Sequence, residues 1–435
     1  MDADALVAEL EKLSDWDLQD VIQRVLGRVM KVTLTRPATT LDLVVTLNCN
    51  LRCDYCFVAG KDRATTMSLS TAQRAIDFFI GHSARKSHLE IVFFGGEPLL
   101  ELELMRSAAA YARVHAAEKK KAMRFSITTN GTLIDDAALE FAEEFDILYM
   151  LSLDGAKRTH DLHRRSVDGR GTFDRIARNI PLLKQRQDWL AARMTISPDT
   201  AATLTEDVQS LFDLGINQFF IEPDFFADWS AEQISAYEEQ YQRLADLYIE
   251  LRSGNQPIRI LEFETKPTDR RHRYAGRWGC HAGRGRLTIT PDGSLYPCNR
   301  FPGLGEGNGE CRLGDLEEGF INYAPLRDLM DDRHLIRPSC RECAVADYCQ
   351  GGCPAANLAT CASIYTVPPV YCAQIRALAS ILDSRAEALE KYAWGAESPV
   401  KPCCGDEPPC SDLFPIAPPN EGAQSVAADT AATGR

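Results

Sequence analysis

Apolar residues recur along the chain in two alternating rhythms. Short runs occupy Leu41–Leu47, Leu89–Phe94, Arg124–Thr129, Ile147–Leu153, Ala192–Ser197 and Ile216–Ile221. Runs of this length read as strands rather than helices. Between them, apolar positions three and four apart predict helices over Ser70–Gly81, Leu102–Ala117, Asp135–Glu143, Phe173–Gln187 and Thr203–Leu214. Strand and helix in alternation imply an α/β fold with a parallel sheet. The six convincing strands fit a partial (β/α)6 barrel better than a closed eight-fold one. Barrels of this kind place their chemistry at the C-terminal ends of the strands.

The flanks differ in pattern. Ala3–Leu13 and Asp17–Met30 carry helical spacing with a break at Ser14 or Asp15, so residues 1–38 are expected to form a helical extension. The barrel is expected over 39–255, ending in a long charged helix at Ala231–Arg252. A polar stretch, Glu262–Trp278, leads into a cysteine-rich region, and the two together make up 256–394. Beyond it, 395–435 are rich in Pro, Gly, Ala and acidic residues with little periodicity, which predicts a disordered tail.

Composition narrows the function. The net charge of −14 argues against a general nucleic-acid binder. No apolar stretch reaches the length of a membrane span, and no secretory signal precedes Leu13, so the chain reads as cytoplasmic with no membrane partner. It carries 15 cysteines among 435 residues, and their distribution is uneven. Three lie near residue 50, none falls between Cys56 and Cys280, and the other 12 follow. In a reducing compartment, clusters of this kind point to metal or catalysis rather than disulfides.

The first cluster reads Cys49-Asn-Leu-Arg-Cys53-Asp-Tyr-Cys56, directly after a strand. Three thiolates in one loop can hold three irons of a cubane and leave the fourth open, whereas ferredoxin-type sites supply a fourth cysteine. An open iron can chelate the amino and carboxylate groups of S-adenosylmethionine. A structural zinc site is the alternative, because thiolates suit both metals. Polar and glycine motifs then recur at strand ends: Gly95-Gly96-Glu97-Pro98, Thr129-Asn130-Gly131 and Ser152-Leu-Asp154-Gly155. An ordinary strand-to-helix turn would need only one glycine.

These residues resemble the radical S-adenosylmethionine enzymes, whose CxxxCxΦC signature matches Cys49, Cys53 and Cys56 with Tyr55 as the aromatic. The resemblance implies a [4Fe–4S] cluster on those cysteines and a 5′-deoxyadenosyl radical made from S-adenosylmethionine. It also implies cofactor contacts from Tyr55, Gly95, Gly96, Glu97, Thr129, Asn130, Ser152 and Arg164, with backbone offered to the adenine around Phe220. Glu222, beside Phe220, is a candidate substrate-side base.

The second region runs Cys280, Gly293-x4-Cys298, Cys340-x2-Cys343, Cys349, Cys353 and Cys372. By itself it suits zinc ribbons or iron–sulfur. It is similar to the SPASM domain, which carries two auxiliary [4Fe–4S] clusters. That likeness implies Cys340, Cys343, Cys349 and Cys372 for one cluster and Cys280, Cys298 and Cys353 for the other, giving three clusters in all. The second set lacks a fourth cysteine; Cys311 or Cys361 completes it, with Cys311 preferred, or an iron stays open. Cys403, Cys404 and Cys410 lie in the expected tail.

Members of the SPASM branch act mostly on peptides and proteins. The resemblance therefore implies a peptide substrate with a leader, and an electron donor such as flavodoxin or ferredoxin. Two activities compete: crosslinking of a ribosomally made peptide through a thioether or carbon–carbon bond, and sulfatase maturation by oxidation of Cys or Ser to formylglycine. In sulfatase-maturing relatives an aspartate base follows the cysteine matching Cys298. Here the residue is Asn299, whose amide cannot take that proton. Crosslinking is therefore the expectation. From another class, a non-catalytic iron–sulfur or zinc-binding protein would explain the cysteines but not the strand-end motifs.

Overall fold

The computed structural model describes residues 36–58, 65–264, 280–304, 311–330, 340, 342–349 and 351–392. The N-terminal helices and the C-terminal tail expected from sequence lie outside the described residues. Six parallel strands follow one another across a sheet: β1 (Thr40–Thr46), β2 (His88–Gly95), β3 (Ala122–Thr129), β4 (Ile147–Ser152), β5 (Ala191–Ile196) and β6 (Gln218–Pro223). A short β7 (Arg259–Ile260) extends that edge, also in parallel. Helices α1 (Leu69–Gly81), α2 (Leu102–Glu118), α3 (Asp136–Phe145), α4 (Lys157–His163), α5 (Phe173–Ala177), α6 (Ile180–Lys184), α7 (Leu204–Asp213) and α8 (Ala231–Ser253) connect the strands.

Local chemistry sets these boundaries. Ser68 caps α1 by accepting from the Thr71 amide, and Asp135 caps α3 by accepting from Ala138. Ser230 and Gln233 form a reciprocal capping box that starts α8. Sequence spacing predicts one helix over Phe173–Gln187, but the chain forms two short ones. Pro181 has no N–H for a helical bond and its ring disfavours continuation, so the helix restarts at Ile180. Strand β1 is buried along its whole length, which accounts for Leu41, Leu43, Val44 and Val45 on both of its faces. The core beneath the sheet is aliphatic and aromatic, with Leu41, Leu43, Ile91, Phe93, Phe125 and Tyr149 all at 1% exposure or less.

The cysteine-rich region is not a separate appendage. Its strands β8 (Arg286–Ile289), β9 (Ser294–Tyr296), β10 (Gly314–Asp315) and β11 (Gly319–Phe320) continue the same sheet, with β8 parallel to β1. One buried pair holds this junction. Asp42 on β1 is fully buried and accepts from Arg286 Nε at 2.7 Å, Arg286 Nη2 at 2.6 Å and Thr288 Oγ1 at 3.0 Å. Further on lie α9 (Ala324–Met330), α10 (Pro354–Cys361), α11 (Pro369–Ser384) and α12 (Ala386–Glu390). Helix α11 packs along α8, and Arg385 just beyond it grips Asp246 with two bonds of 2.7 and 3.0 Å.

Removing Arg286 would leave the Asp42 carboxylate buried without its countercharge. Arg286→Ala is therefore expected to lower the unfolding free energy by about 3–5 kcal/mol in a urea titration of the full chain. A loss no larger than that of an exposed salt bridge would mean the junction is held elsewhere.

Candidate active site

The cysteine loop leaves the end of β1 and is pinned on two sides. Arg52 Nη1 donates to the carbonyls of Cys49 at 2.8 Å and Leu51 at 2.9 Å, and the Arg52 amide donates to Arg165 O at 2.7 Å. At the end of β3, Asn130 Nδ2 donates to Asn50 Oδ1 at 2.8 Å and lies 3.9 Å from Cys49 Sγ. Asn50 Nδ2 in turn donates to Thr132 Oγ1 at 2.8 Å. The loop is thus tied to the strand end expected to share its chemistry.

The two glycines after β2 allow the closest approach. A Cβ on Gly95, at φ +147°, would fall 2.0 Å from Thr46 O, and one on Gly96 would fall 2.1 Å from Asn48 O. The amides of Gly96 and Glu97 donate to those same two carbonyls at 2.9 and 2.8 Å. Glu97 itself turns inward. Its fully buried carboxylate accepts from Thr129 Oγ1 at 2.7 Å, the Asn130 amide at 2.7 Å and the Leu99 amide at 3.1 Å. Burial pushes this carboxyl up to about 7, against three donors that pull it down. The cavity is lined by Gly95, Gly96, Thr128 and Asn130, not by Glu97 or Thr129. Those two side chains clamp β2 to β3.

On the far side of the loop stands a second buried network. Asp154 accepts from Arg164 Nε at 2.8 Å, Arg164 Nη2 at 2.9 Å and the Thr195 amide at 2.9 Å, and the Tyr55 hydroxyl donates to it as well. Burial works to raise the Asp154 carboxyl, but the adjoining Arg164 wins and holds it below the usual range. The guanidinium carbon also lies 5.3 Å from the Tyr55 ring centre, a cation–π contact. Arg164 lines the cavity, yet Asp154 already occupies its fork, so the free carboxylate receptor expected from sequence is not what the chain presents. Ser152 and Tyr55 line the cavity as expected.

The cavity encloses about 460 Å³. Cys49, Cys53 and Cys56 line one part of its wall, and Cys280, Cys298 and Cys353 another. Strand β6 supplies Ile221, Glu222 and Pro223, whereas Phe220 packs away from the cavity against Met150 and Ala191. Strand alternation turns the Phe220 side chain inward, and the expectation there concerned the backbone. Glu222 pairs with both Arg193 and Arg300. Burial works against its charge, but the two arginines hold it down at about 2. A carboxylate held so low is a poor proton acceptor, and the expected base at Glu222 gives way to an anchor for two cations. Arg300 Nη1 also lies 3.3 Å from Cys353 Sγ.

The C-terminal cysteines fall into two groups. Cys298 and Cys311 are buried in one small cluster with Phe301 and Leu329, and Cys280 and Cys353 pack against it. Burial, then Cys280 and Cys353, push the Cys298 thiol well up. Cys349 is raised by burial, with Cys372, Cys340 and Cys343 adding to it, and Cys361 adds to Cys372. Cys361 therefore keeps company with the second group and Cys311 with the first. Cys403, Cys404 and Cys410 lie outside the described residues. Among the described residues no three Cys, His, Asp or Glu side chains converge as ligands of a single metal ion must. A cubane spreads its thiolates over separate irons and does not need that convergence. The donor set, three thiols in the cavity wall beside a glycine cradle, fits an iron–sulfur cluster with a small polar cofactor.

Sequence reasoning missed Arg193, Arg300 and Glu262, all of which line the cavity. Arg300 had a signal, two residues after Cys298; Glu262 had only its place at the end of an apolar run.

The profile of the Radical SAM superfamily matches residues 43–211. Residues 43–211 thus form a radical SAM domain, which implies an iron–sulfur cluster and S-adenosylmethionine. It is similar to the serine-type anaerobic sulfatase-maturating enzyme of Klebsiella aerogenes, 28% identical over 324 residues, 71% of this chain and 77% of that one. The radical SAM cyclopropyl synthase TigE of Paramaledivibacter caminithermalis is 24% identical over 359 residues, 75% of this chain and 70% of that one. In fold, the solved structure of native anSMEcpe with bound AdoMet and Cp18Cys peptide matches at a TM-score of 0.66, with 20% identity over 82% of this chain and 98% of that one. Among the described residues no helix is long and apolar enough to cross a membrane.

Glu222, folded at about 2 against an ordinary 4.5, adds stability above pH 4.5 that is lost as pH falls toward 2. Thermal unfolding of the parent and of Glu222→Gln should therefore differ most at neutral pH and converge below pH 4. A gap that stays constant down to pH 2.5 would remove the two-arginine account.

Proposed function

We propose that the protein is a peptide maturase that removes hydrogen from a ribosomally made peptide and joins two of its residues by a thioether or carbon–carbon bond. The observation that carries this reading is the single cavity with Cys49, Cys53 and Cys56 in one part of its wall and Cys280, Cys298 and Cys353 in another. A substrate held there would lie between a hydrogen-abstracting centre and a centre that can take up an electron. In this reading the first three cysteines bind the cluster that holds S-adenosylmethionine. Cys280, Cys298, Cys353 and Cys311 bind a second cluster, and Cys340, Cys343, Cys349 and Cys372 a third. When bound, the first cluster and its cofactor supply the one-electron chemistry that removes a hydrogen atom.

The chain's own residues do the rest. Gly95 and Gly96 leave backbone open beside the cysteine loop, and Tyr55, Asn130 and Ser152 line the pocket the cofactor would enter. Arg164 and Asp154 fix the Tyr55 ring, which orients whatever stacks on it. Arg193, Glu222 and Arg300 form a rigid cationic wall toward Cys353, suited to orienting a peptide between the two centres. A flavodoxin or ferredoxin would deliver the reducing electron. The barrel over 39–255 and the cysteine-rich part over 256–394 would act as one body.

Sulfatase-type maturation remains the second reading, favoured by the named Klebsiella relative. Asn299 lines the cavity directly after Cys298, where an amide cannot act as base, and this supports crosslinking over it.

The anaerobically reconstituted parent should release 5′-deoxyadenosine from S-adenosylmethionine and reductant, and replacing Cys49, Cys53 and Cys56 together with Ala should abolish release. Undiminished release from the triple variant would reject the assignment. Mass spectrometry of a co-expressed short peptide encoded beside the gene should show loss of two hydrogens; a formylglycine product would favour the second reading.

A further inference from the structure

Any oxidation of a peptide that removes one hydrogen atom and one electron must also remove a proton. Both activities considered above share this requirement. The carboxylates around the cavity differ in how far they can meet it. Asp154 is committed to Arg164, Tyr55 and the Thr195 amide. Glu222 is held by two arginines. Asp224 accepts from the Phe226 amide at 2.9 Å within its own turn.

Glu262 is different. It lies two residues beyond β7 and lines the cavity. Its Oε1 accepts from the Ile221 amide at 3.1 Å. Its Oε2 is buried with no hydrogen-bond partner among the described residues. The hydroxyls of Tyr237 and Tyr241, on the buried face of α8, are buried too, and Gln374 is the polar side chain near both. Gln374 on α11 closes the group, lining the cavity and donating to Ile221 O at 3.3 Å. Buried polar atoms without partners are costly and uncommon, and the one at Glu262 lies in a residue that lines the cavity, where protons or water can reach it.

We propose that Glu262, backed by Tyr237 and Tyr241, is the proton acceptor of this cavity, taking the proton that leaves the peptide. This rests on the peptide reading above. The step balances as follows: one hydrogen atom leaves the peptide with the S-adenosylmethionine fragment, one electron passes to an oxidised iron–sulfur cluster, and one proton goes to the Glu262 carboxylate. Two C–H or X–H bonds break and one new bond forms within the peptide.

The surroundings suit that task. Burial pushes the Glu262 carboxyl up to about 7; its own amide and that of Ile221 pull it down, Glu222 pushes it up and Arg193 pulls it down. Burial and the nearby Glu262 push the phenols of Tyr237 and Tyr241 well up, so both stay protonated beside the carboxylate. A carboxyl balanced near neutrality can both take and return a proton.

The test is Glu262→Gln in the full, cluster-loaded chain, with Glu222→Gln as comparison. Infrared difference spectra of the parent between pH 5 and 9 should show two carboxyl-to-carboxylate transitions near 7, from Glu97 and Glu262; Glu262→Gln should lose one of them, roughly half the amplitude, and Glu222→Gln should keep both. With the co-expressed peptide as probe, product formed per 5′-deoxyadenosine should fall about a hundredfold in Glu262→Gln. The parent's product yield should rise with pH through about 7, because only the carboxylate accepts, and the variant should lose that limb. An undiminished amplitude in Glu262→Gln, or an unchanged product ratio, overturns the proposal. A parent that makes 5′-deoxyadenosine but alters no peptide overturns the peptide reading instead.

Discussion

The backbone of the cysteine loop and the glycine pair after β2 lie so close that no side chain fits between them. A Cβ at Gly95 or Gly96 would sit within 2.1 Å of a carbonyl oxygen on Thr46 or Asn48. Those carbonyls accept the amides of Gly96 and Glu97, so the approach is hydrogen-bonded rather than merely tolerated. The position of Cys49 is in this way set by β2, and β2 is clamped to β3 by the Glu97 carboxylate. Three strands thus share responsibility for one loop, and the cavity mouth inherits their rigidity.

Charge is distributed around that cavity with little left over. Asp42 faces Arg286, Asp154 faces Arg164, and Glu222 faces Arg193 and Arg300. Asp42–Arg286 and Glu222–Arg300 join segments far apart in sequence, and each pair fixes a wall in position, because a buried charge deprived of its partner is strongly destabilising. The one net positive excess, at Arg193 and Arg300, lies beside Cys353. Cations next to thiolates offset the negative charge that a cysteine-ligated cluster accumulates.

Much of the scaffold was legible because parallel strands and amphipathic helices carry their own periodicity. The six predicted strands match β1–β6 within two residues at nearly every end, and only the helix interrupted by Pro181 departs in kind. The direction of side chains at the strand ends was harder to read. Glu97, Thr129 and Phe220 sit where expected along the chain, but a register of two sends one residue to the cavity and its neighbour inward. The roles of Glu222 and Arg164 depend on partners that no local pattern announces; Arg300 is 78 residues from Glu222. The joining of β8 to β1 was not legible, since short strands in a loop-rich region leave little periodic signal.

That joining has a consequence for how the chain can be divided. Without β8, strand β1 would present a seven-residue, normally buried edge with amides and carbonyls unpaired and Asp42 deprived of Arg286. Exposed edges of this kind invite pairing with other chains. A fragment ending before residue 280 would carry the barrel's sequence but also a sticky margin, so the cysteine-rich part serves as a guard against aggregation as well as a holder of thiols.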